Sequence, residues 1–416
     1  MNRTRIQLLF EYILNAPILI WVLLGFSISY LYFFIYPVFF SSQVMQFFHY
    51  VPTIKPIGVD LQWIFDYSRK WITNQNPYAG ENIYPPLECV LFSPMLIFNF
   101  STAYQIITFV TLFCYTLTTL ILPLSINKRK HISALSMLIF LTGLFSYGLH
   151  FEIERGQFNV ITIFICFLAI WLYHYHKRYR YLAYFLFIIS VQLKIYPFIF
   201  IVMFVTDWQD WRNNIKKCFI LSITNFLLLF VLGPRNFLNF VKAVIQAQLQ
   251  HYFWIGNHSI SSFLSYILKI NSRLLQLAFM ALVALCIFLI MLRAYRQKQK
   301  GINPYLLLAC TIGTLLIPSI SHDYKLSLLA SPVVFFLSNE RFSKRANNPR
   351  LHIMFIVLIL IFSFAYSSTL FSYTNKPFIL FNNFPALVTM LLIVTLLPFI
   401  LKQTPDMLES EKTETT

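Results

Sequence analysis

The chain has 416 residues, of which 58% are hydrophobic, 18% aromatic and only 11% charged, with a mean hydropathy of +0.66. A water-soluble domain carries roughly a quarter charged residues, so a soluble enzyme or a nucleic-acid binder is excluded and a chain solvated mostly by lipid is expected. The formal charge of +17 is scattered in short clusters between apolar runs, so it reports on membrane orientation and not on a polyanionic partner.

At the N-terminus, Arg3 and Arg5 precede an apolar run that exceeds a signal-peptide core and lacks a small-residue cleavage site. It reads as a retained first transmembrane helix, beginning near Ala16, with its start in the cytoplasm. Further apolar runs begin near Thr102, Ser133, Asn159, Lys216, Leu274, Asn303, Tyr324, His352 and Pro385, each near the roughly 20 residues that cross hydrocarbon or somewhat shorter. Short basic loops separate them at 127–131, 174–180, 207–217, 292–300 and 339–350, and all are predicted to be cytoplasmic. Trp208 and Trp211 beside Arg212 fit as interfacial anchors.

Placing these loops on one side requires the segment between Arg180 and Asp207 to cross an even number of times. A hairpin of two short helices turning near Lys194 to Pro197 satisfies this, because proline disfavours helix at Tyr196. The segment Pro85 to Phe100 is too short and too proline-interrupted for a clean span, and is predicted to be a re-entrant or interfacial helix. The expected fold is an all-α polytopic bundle of about 12 transmembrane helices. It forms one membrane domain over residues 1–402, with a large first outer loop at 41–87, both termini cytoplasmic and a disordered tail at 403–416. Cys89, Cys114, Cys166, Cys218, Cys286 and Cys310 form no CxxC pair and read as small embedded hydrophobes.

The chemistry falls on the opposite, outer side, where Asp60, Asp66, Glu81, Glu88, Glu152, Glu154 and Asp323 lie. Asp60 follows the first span at the membrane edge. There its carboxylate either serves as a general base on a lipid-linked substrate or caps the amphipathic helix read from DLQWIFDYSRKW. Glu154 to Asn159, ERGQFN, sits at the mouth of a span, where polar groups are costly unless partnered or functional. Arg155 can clamp a phosphate bidentately and Gln157 and Asn159 can bind sugar hydroxyls, or the cluster satisfies itself. Lys194, between two apolar segments, either snorkels or meets an anion. His322, Asp323 and Lys325 form another membrane-mouth cluster, and Asn257 opens a glycosylation sequon. No HExxH, Walker A or GxSxG pattern supports a metalloprotease, nucleotide hydrolase or serine hydrolase.

In order along the chain, these motifs resemble the polytopic GT-C glycosyltransferases. The closest likeness is to glycosyltransferase family 87, the polyprenyl-phosphate-mannose-dependent alpha-mannosyltransferase-like group. The likeness is carried by Asp60 in the first outer loop and by NPY…YPP at Asn76, Pro77, Tyr78, Tyr84, Pro85 and Pro86, with Pro94 following. It continues through GQxN at Gly156, Gln157 and Asn159, LKxxP at Leu193, Lys194 and Pro197, GNxS at Gly256, Asn257 and Ser259, and HDY at His322, Asp323 and Tyr324. It implies an inverting transferase of the plasma (inner) membrane. A hexose, mannose favoured, or a pentose would pass from a polyprenyl-phosphate donor to a glycan, lipid or protein acceptor on the outer face. Asp60 would act as base, Arg155, Lys194 and His322 would face the leaving phosphate as cations, and Tyr84, Gln157, Asn159, Asn257 and Asp323 would bind substrate. Because the polyprenyl phosphate already activates the sugar, no nucleotide site is called for, in keeping with the absence of a glycine-rich phosphate loop; no cofactor is expected, and a divalent metal is left open. The rival classes are a transporter or flippase of lipid-linked glycans, and a glycan polymerase or ligase with a diphosphate-linked donor. The absence of repeated halves and the collection of polar motifs on one face favour the enzyme over the transporter.

Overall fold

The computed structural model describes residues 57–80, 82–126, 134–144, 146–249, 256–270, 272–337 and 382–400, together with Ser27. The predicted first span, the basic loops at 127–131 and 339–350, the run from His352, Glu81 and the tail at 403–416 lie outside the described residues.

Several helices begin where a polar residue or a proline meets an apolar run. The order is α1 (Val59–Ile72), α2 (Pro86–Phe92), α3 (Phe100–Thr116), α4 (Leu122–Ile126), α5 (Ala134–Leu144), α6 (Tyr147–Arg155), α7 (Asn159–Tyr175) and α8 (Arg180–Leu193). After a 3-10 helix at Tyr196–Met203 come α9 (Trp211–Leu228), α10 (Pro234–Leu249), α11 (Ile260–Ser262), α12 (Arg273–Arg296) and α13 (Pro304–Leu316). A further 3-10 helix, Asp323–Leu329, leads into α14 (Ala330–Leu337), and α15 spans Phe384–Ile400. Asn99, Ser146, Asp210 and Ser272 cap α3, α6, α9 and α12 through their side chains, and Asn303 caps α13 just ahead of Pro304. Among the described residues the only β pairing is two isolated bridges.

Among the described residues two helices are long and apolar enough to cross a bilayer, Phe100–Ser125, in which a π turn at Leu117–Ile121 joins α3 to α4, and Arg273–Arg296, and α6 with α7 forms a pair bent by 112°. The helices Pro86–Ile97, Pro304–Leu316 and Phe384–Leu397 are apolar but shorter. The segment Pro86–Ile97 is thus the short proline-bounded element expected between Pro85 and Phe100. It is an α turn that tightens into a 3-10 turn at Ser93–Ile97, where Pro94 lacks the N–H an α-helix would use.

The three described basic loops gather at one end of the molecule. Asp207 pairs with Lys300 in an antiparallel bridge, and Gln209 Nε2 donates to the Tyr295 carbonyl at 2.8 Å. The His174 imidazole bonds the Met203 carbonyl at 2.7 Å. The expected hairpin is therefore present, because the chain leaves this end along α8, turns at Lys194 and returns beside His174. Its second arm is not an α-helix. Pro197 lies in the first turn of a 3-10 helix of 8 residues, which at about 2 Å rise per residue reaches only about halfway through hydrocarbon. The run expected to start a span at Tyr324 likewise opens as 3-10 helix before α14. Trp208 is buried while Trp211 is exposed with Arg212 over its ring, so only Trp211 stands at the surface as an interfacial anchor would.

At the other end, α1 docks through two glycines. Gly58, in left-handed backbone at φ 78, caps α1 and donates its N–H to the Glu154 carbonyl at 2.7 Å. Asp60 therefore lies in the first turn and not at the cap, because the chain enters the helix through a conformation glycine adopts freely. Gly156, at φ +68, closes α6 in a Schellman turn, with its own N–H bonding Ile153 and the next N–H bonding Glu152. A Cβ on Gly156 would sit 2.9 Å from Leu61 Cβ and 3.1 Å from Gly58 Cα. Gly156→Ala is expected to cost about 2–4 kcal/mol from left-handed strain and overpacking combined. It should lower the unfolding midpoint in detergent and abolish activity together, and a stable, active variant would show that this approach is not required. The contact is sealed by a small apolar cluster of Leu61, Ile64, Phe65, Phe92, Ala103, Ile107, Phe158 and Leu193, separate from the main core.

Candidate active site

The glycine contact brings α1 against the α6–α7 corner and places a carboxylate among cations. Asp60 is buried, 5% exposed, with Arg155 Nη2 2.8 Å from its Oδ1. Gln157 Nε2 donates to Asp60 Oδ2, and Gln157 Oε1 accepts from Lys194 Nζ. One amide thus links the carboxylate to the ammonium across the corner. Tyr84 closes the group, with its hydroxyl 3.4 Å from Gln157 Nε2. The Lys194 ammonium lies 4.5 Å from the Phe158 ring centre, 5.2 Å from that of Tyr84 and 6.0 Å from that of Tyr324. It is buried in this aromatic cage, which removes the snorkelling alternative. Asp66 points away, since it is half-exposed and pairs with Arg69 at 3.0 Å on the surface of α1.

A supporting layer stands behind this group. Glu152 accepts the Val160 N–H at 2.8 Å, capping α7 from the neighbouring helix, and also accepts from Ser327 Oγ. That bond ties the 3-10 helix to the corner, where Gly148 permits the approach: a Cβ there would lie 2.8 Å from the Ser327 nitrogen. Asn159 Oδ1 accepts from Tyr196 Oη at 3.1 Å, while its buried Nδ2 has no partner among the described residues. Lys325, also buried, donates to the Ile320 carbonyl at 2.8 Å and lies over the Tyr196 ring. Glu152, Ser327, Tyr196 and Lys325 were not expected as members of this group. Their only sequence signal is polarity at the ends of apolar runs.

Asn257 and Asp323 fall elsewhere. Asn257 is fully buried. Its Nδ2 donates to the Ser319 carbonyl, and its Oδ1 accepts the Ser259 and Ser321 N–H groups. Its amide is committed to backbone, so it is neither an exposed sequon nor a sugar contact in this conformation. Asp323 Oδ1 takes His258 Nδ1 at 2.9 Å and Asn383 Nδ2 at 3.0 Å, and His258 Nε2 meets Ser321 Oγ at 3.2 Å. These bonds stitch the loop before α11, the loop before the 3-10 helix and the start of α15. His258, held below its usual value first by burial, belongs to this stitching. His322 shares the loop and packs its ring against Tyr324. Burial, then Lys325, Arg155 and His258, push its imidazole down to about 3, so it is neutral and not the third cation expected from the sequence.

The family model for glycosyltransferase family 87 matches residues 82–332. No curated protein matches the chain. Tyr84, Arg155, Gln157, Asn159 and Lys194 lie inside the matched segment, while Asp60 precedes it and joins the group through the fold. An apolar helical chain with membrane-length helices and this polar corner is a membrane glycosyltransferase, and it belongs to glycosyltransferase family 87.

Proposed function

We propose that the protein transfers a hexose, mannose favoured, or a pentose from a polyprenyl-phosphate donor to a glycan, lipid or protein acceptor at the outer membrane face, with inversion. The observation that carries this reading is the link Arg155–Asp60–Gln157–Lys194, a carboxylate set between two cations in a buried site. Asp60 takes the proton of the acceptor hydroxyl as that oxygen bonds to the anomeric carbon. The bond from that carbon to the phosphate oxygen breaks, and its electron pair leaves on the polyprenyl phosphate. Lys194 and Arg155 stabilise the departing charge, which a low-dielectric site makes effective. One carboxylate suffices because the phosphate needs no protonation to leave. Asn159, whose Nδ2 is open, binds a sugar hydroxyl, with Tyr84 as a flanking ring; Gln157, its amide committed to Asp60 and Lys194, meets the sugar only by exchanging one of those bonds, and Glu152 and Ser327 hold the corner rigid. Purified protein given radiolabelled polyprenyl-phosphate sugars should release sugar to an acceptor. Turnover only with diphosphate-linked donors would favour a polymerase or ligase, and lipid-linked glycan movement without cleavage would favour a flippase.

The membrane reading keeps about twelve crossings in one domain over residues 1–402, with both termini cytoplasmic. Its support is that the described basic loops share one end and the Asp60 group lies at the other. A cysteine at Lys298 should label from the cytoplasm and one at Lys242, exposed on α10, from outside. The reverse labelling would invert the model and put the site on the wrong side for an outer-face donor.

A further inference from the structure

Glu88 sits in the first turn of α2, outside the membrane-length helices, and is fully buried. Apart from the Cys89 thiol beside it, neither of its oxygens has a hydrogen-bond partner among the described residues. A buried carboxyl left this open is a cost to the unliganded fold, which few proteins carry without a use for it. Its surroundings indicate the use. The α2 helix packs between α1, which bears Asp60, and α8, which ends at Lys194, and the carboxyl lies in the electrostatic field of both Lys194 and Tyr84.

We propose that Glu88 is a sugar-recognition residue of the donor subsite, binding one or two hydroxyls of the transferred sugar. This rests on the polyprenyl-phosphate reading above. With the phosphate at Lys194, the sugar ring lies within reach of groups around that ammonium, and its hydroxyls are the ligands a carboxyl with two open oxygens accepts. Burial raises the carboxyl to about 8, against the pull of Cys89 and Lys194. Burial thus favours the neutral acid, which gives one O–H bond and accepts others. It therefore complements hydroxyls without adding a negative charge beside the phosphate.

The alternative is that Glu88 serves only as counter-ion to Lys194, and the two roles predict opposite effects on stability. Removing a ligand-binding group relieves an unmet polar site, whereas removing a counter-ion strands a buried cation. Glu88→Leu and Glu88→Gln are to be compared with the wild type by unfolding midpoint and by kcat/KM on a polyprenyl-phosphate hexose and its monodeoxy analogues. Glu88→Leu should keep or raise the midpoint and lose about 10-fold or more in kcat/KM, mostly through donor KM, with Glu88→Gln recovering most of the loss. One deoxy position that penalises the wild type by about 10-fold should no longer penalise Glu88→Leu, because the contact is already gone.

A lowered midpoint in Glu88→Leu overturns the proposal in favour of the counter-ion, whatever the donor. Equal deoxy penalties in wild type and variant also overturn it. A wild type that turns over only diphosphate-linked sugars would overturn the donor assignment instead, and the same deoxy series on that donor then decides Glu88.

Discussion

Asp60→Asn is expected to lower turnover by about 10²-fold or more while leaving donor binding intact. The amide keeps the size of the side chain and can still accept from Gln157, but it cannot take the acceptor's proton. It also loses the ion pair with Arg155, so the unfolding midpoint should be measured beside activity to separate chemistry from folding. The internal control is Asp66→Asn, six residues on in α1. Its side chain points to the exposed face and pairs with Arg69, an exposed pair worth little, and the variant should retain activity and midpoint. Loss of activity in Asp66→Asn with an active Asp60→Asn would move the base to the other face of α1. Full activity in both would end the carboxylate mechanism on this helix.

Lys194→Met is expected to weaken donor binding by about 10- to 100-fold, the loss that follows from removing a charge-assisted bond to phosphate. Turnover should fall further, because the ammonium also anchors Gln157, which orients Asp60. Taking a cation out of a buried network containing Glu152 and Asp60 lowers stability as well, so Lys194→Arg provides the second measurement. The guanidinium restores the charge but does not fit a cage of three rings as a compact ammonium does. It should bring back part of the donor affinity and midpoint, with little of the turnover. Titration of the folded variants with non-hydrolysable polyprenyl phosphonate reads the affinity directly. Unchanged affinity in folded Lys194→Met would make the lysine a purely structural partner of Gln157.

The sequence by itself determined the class of molecule and most of the residues that matter. Long apolar runs leave no soluble alternative. A polar group among them is costly enough that Arg155, Gln157, Asn159 and Lys194 stand out without any structure. Composition also marks the ends of the helices, since asparagine, serine, aspartate and proline sit where the apolar runs begin. The helix carrying Asp60, the hairpin at Lys194 and the short element after Pro85 were legible for the same reason.

What only the tertiary structure decided is which of these groups meet. Asp60 and Gln157 are 97 residues apart, and their contact depends on Gly58 and Gly156 letting two backbones approach where any side chain would intervene. Asn257 and Asp323 carry motifs as polar as the others, yet their side chains are committed to a separate buried network that holds loops together. His322 is basic by residue type but neutral by burial, and Glu152, Ser327 and Glu88 gain their places only from the helices that pack around them. Spacing along a chain fixes the face of an element on which a residue lies. The approach of two elements depends on the volumes removed between them, and those are set jointly by residues distant in sequence.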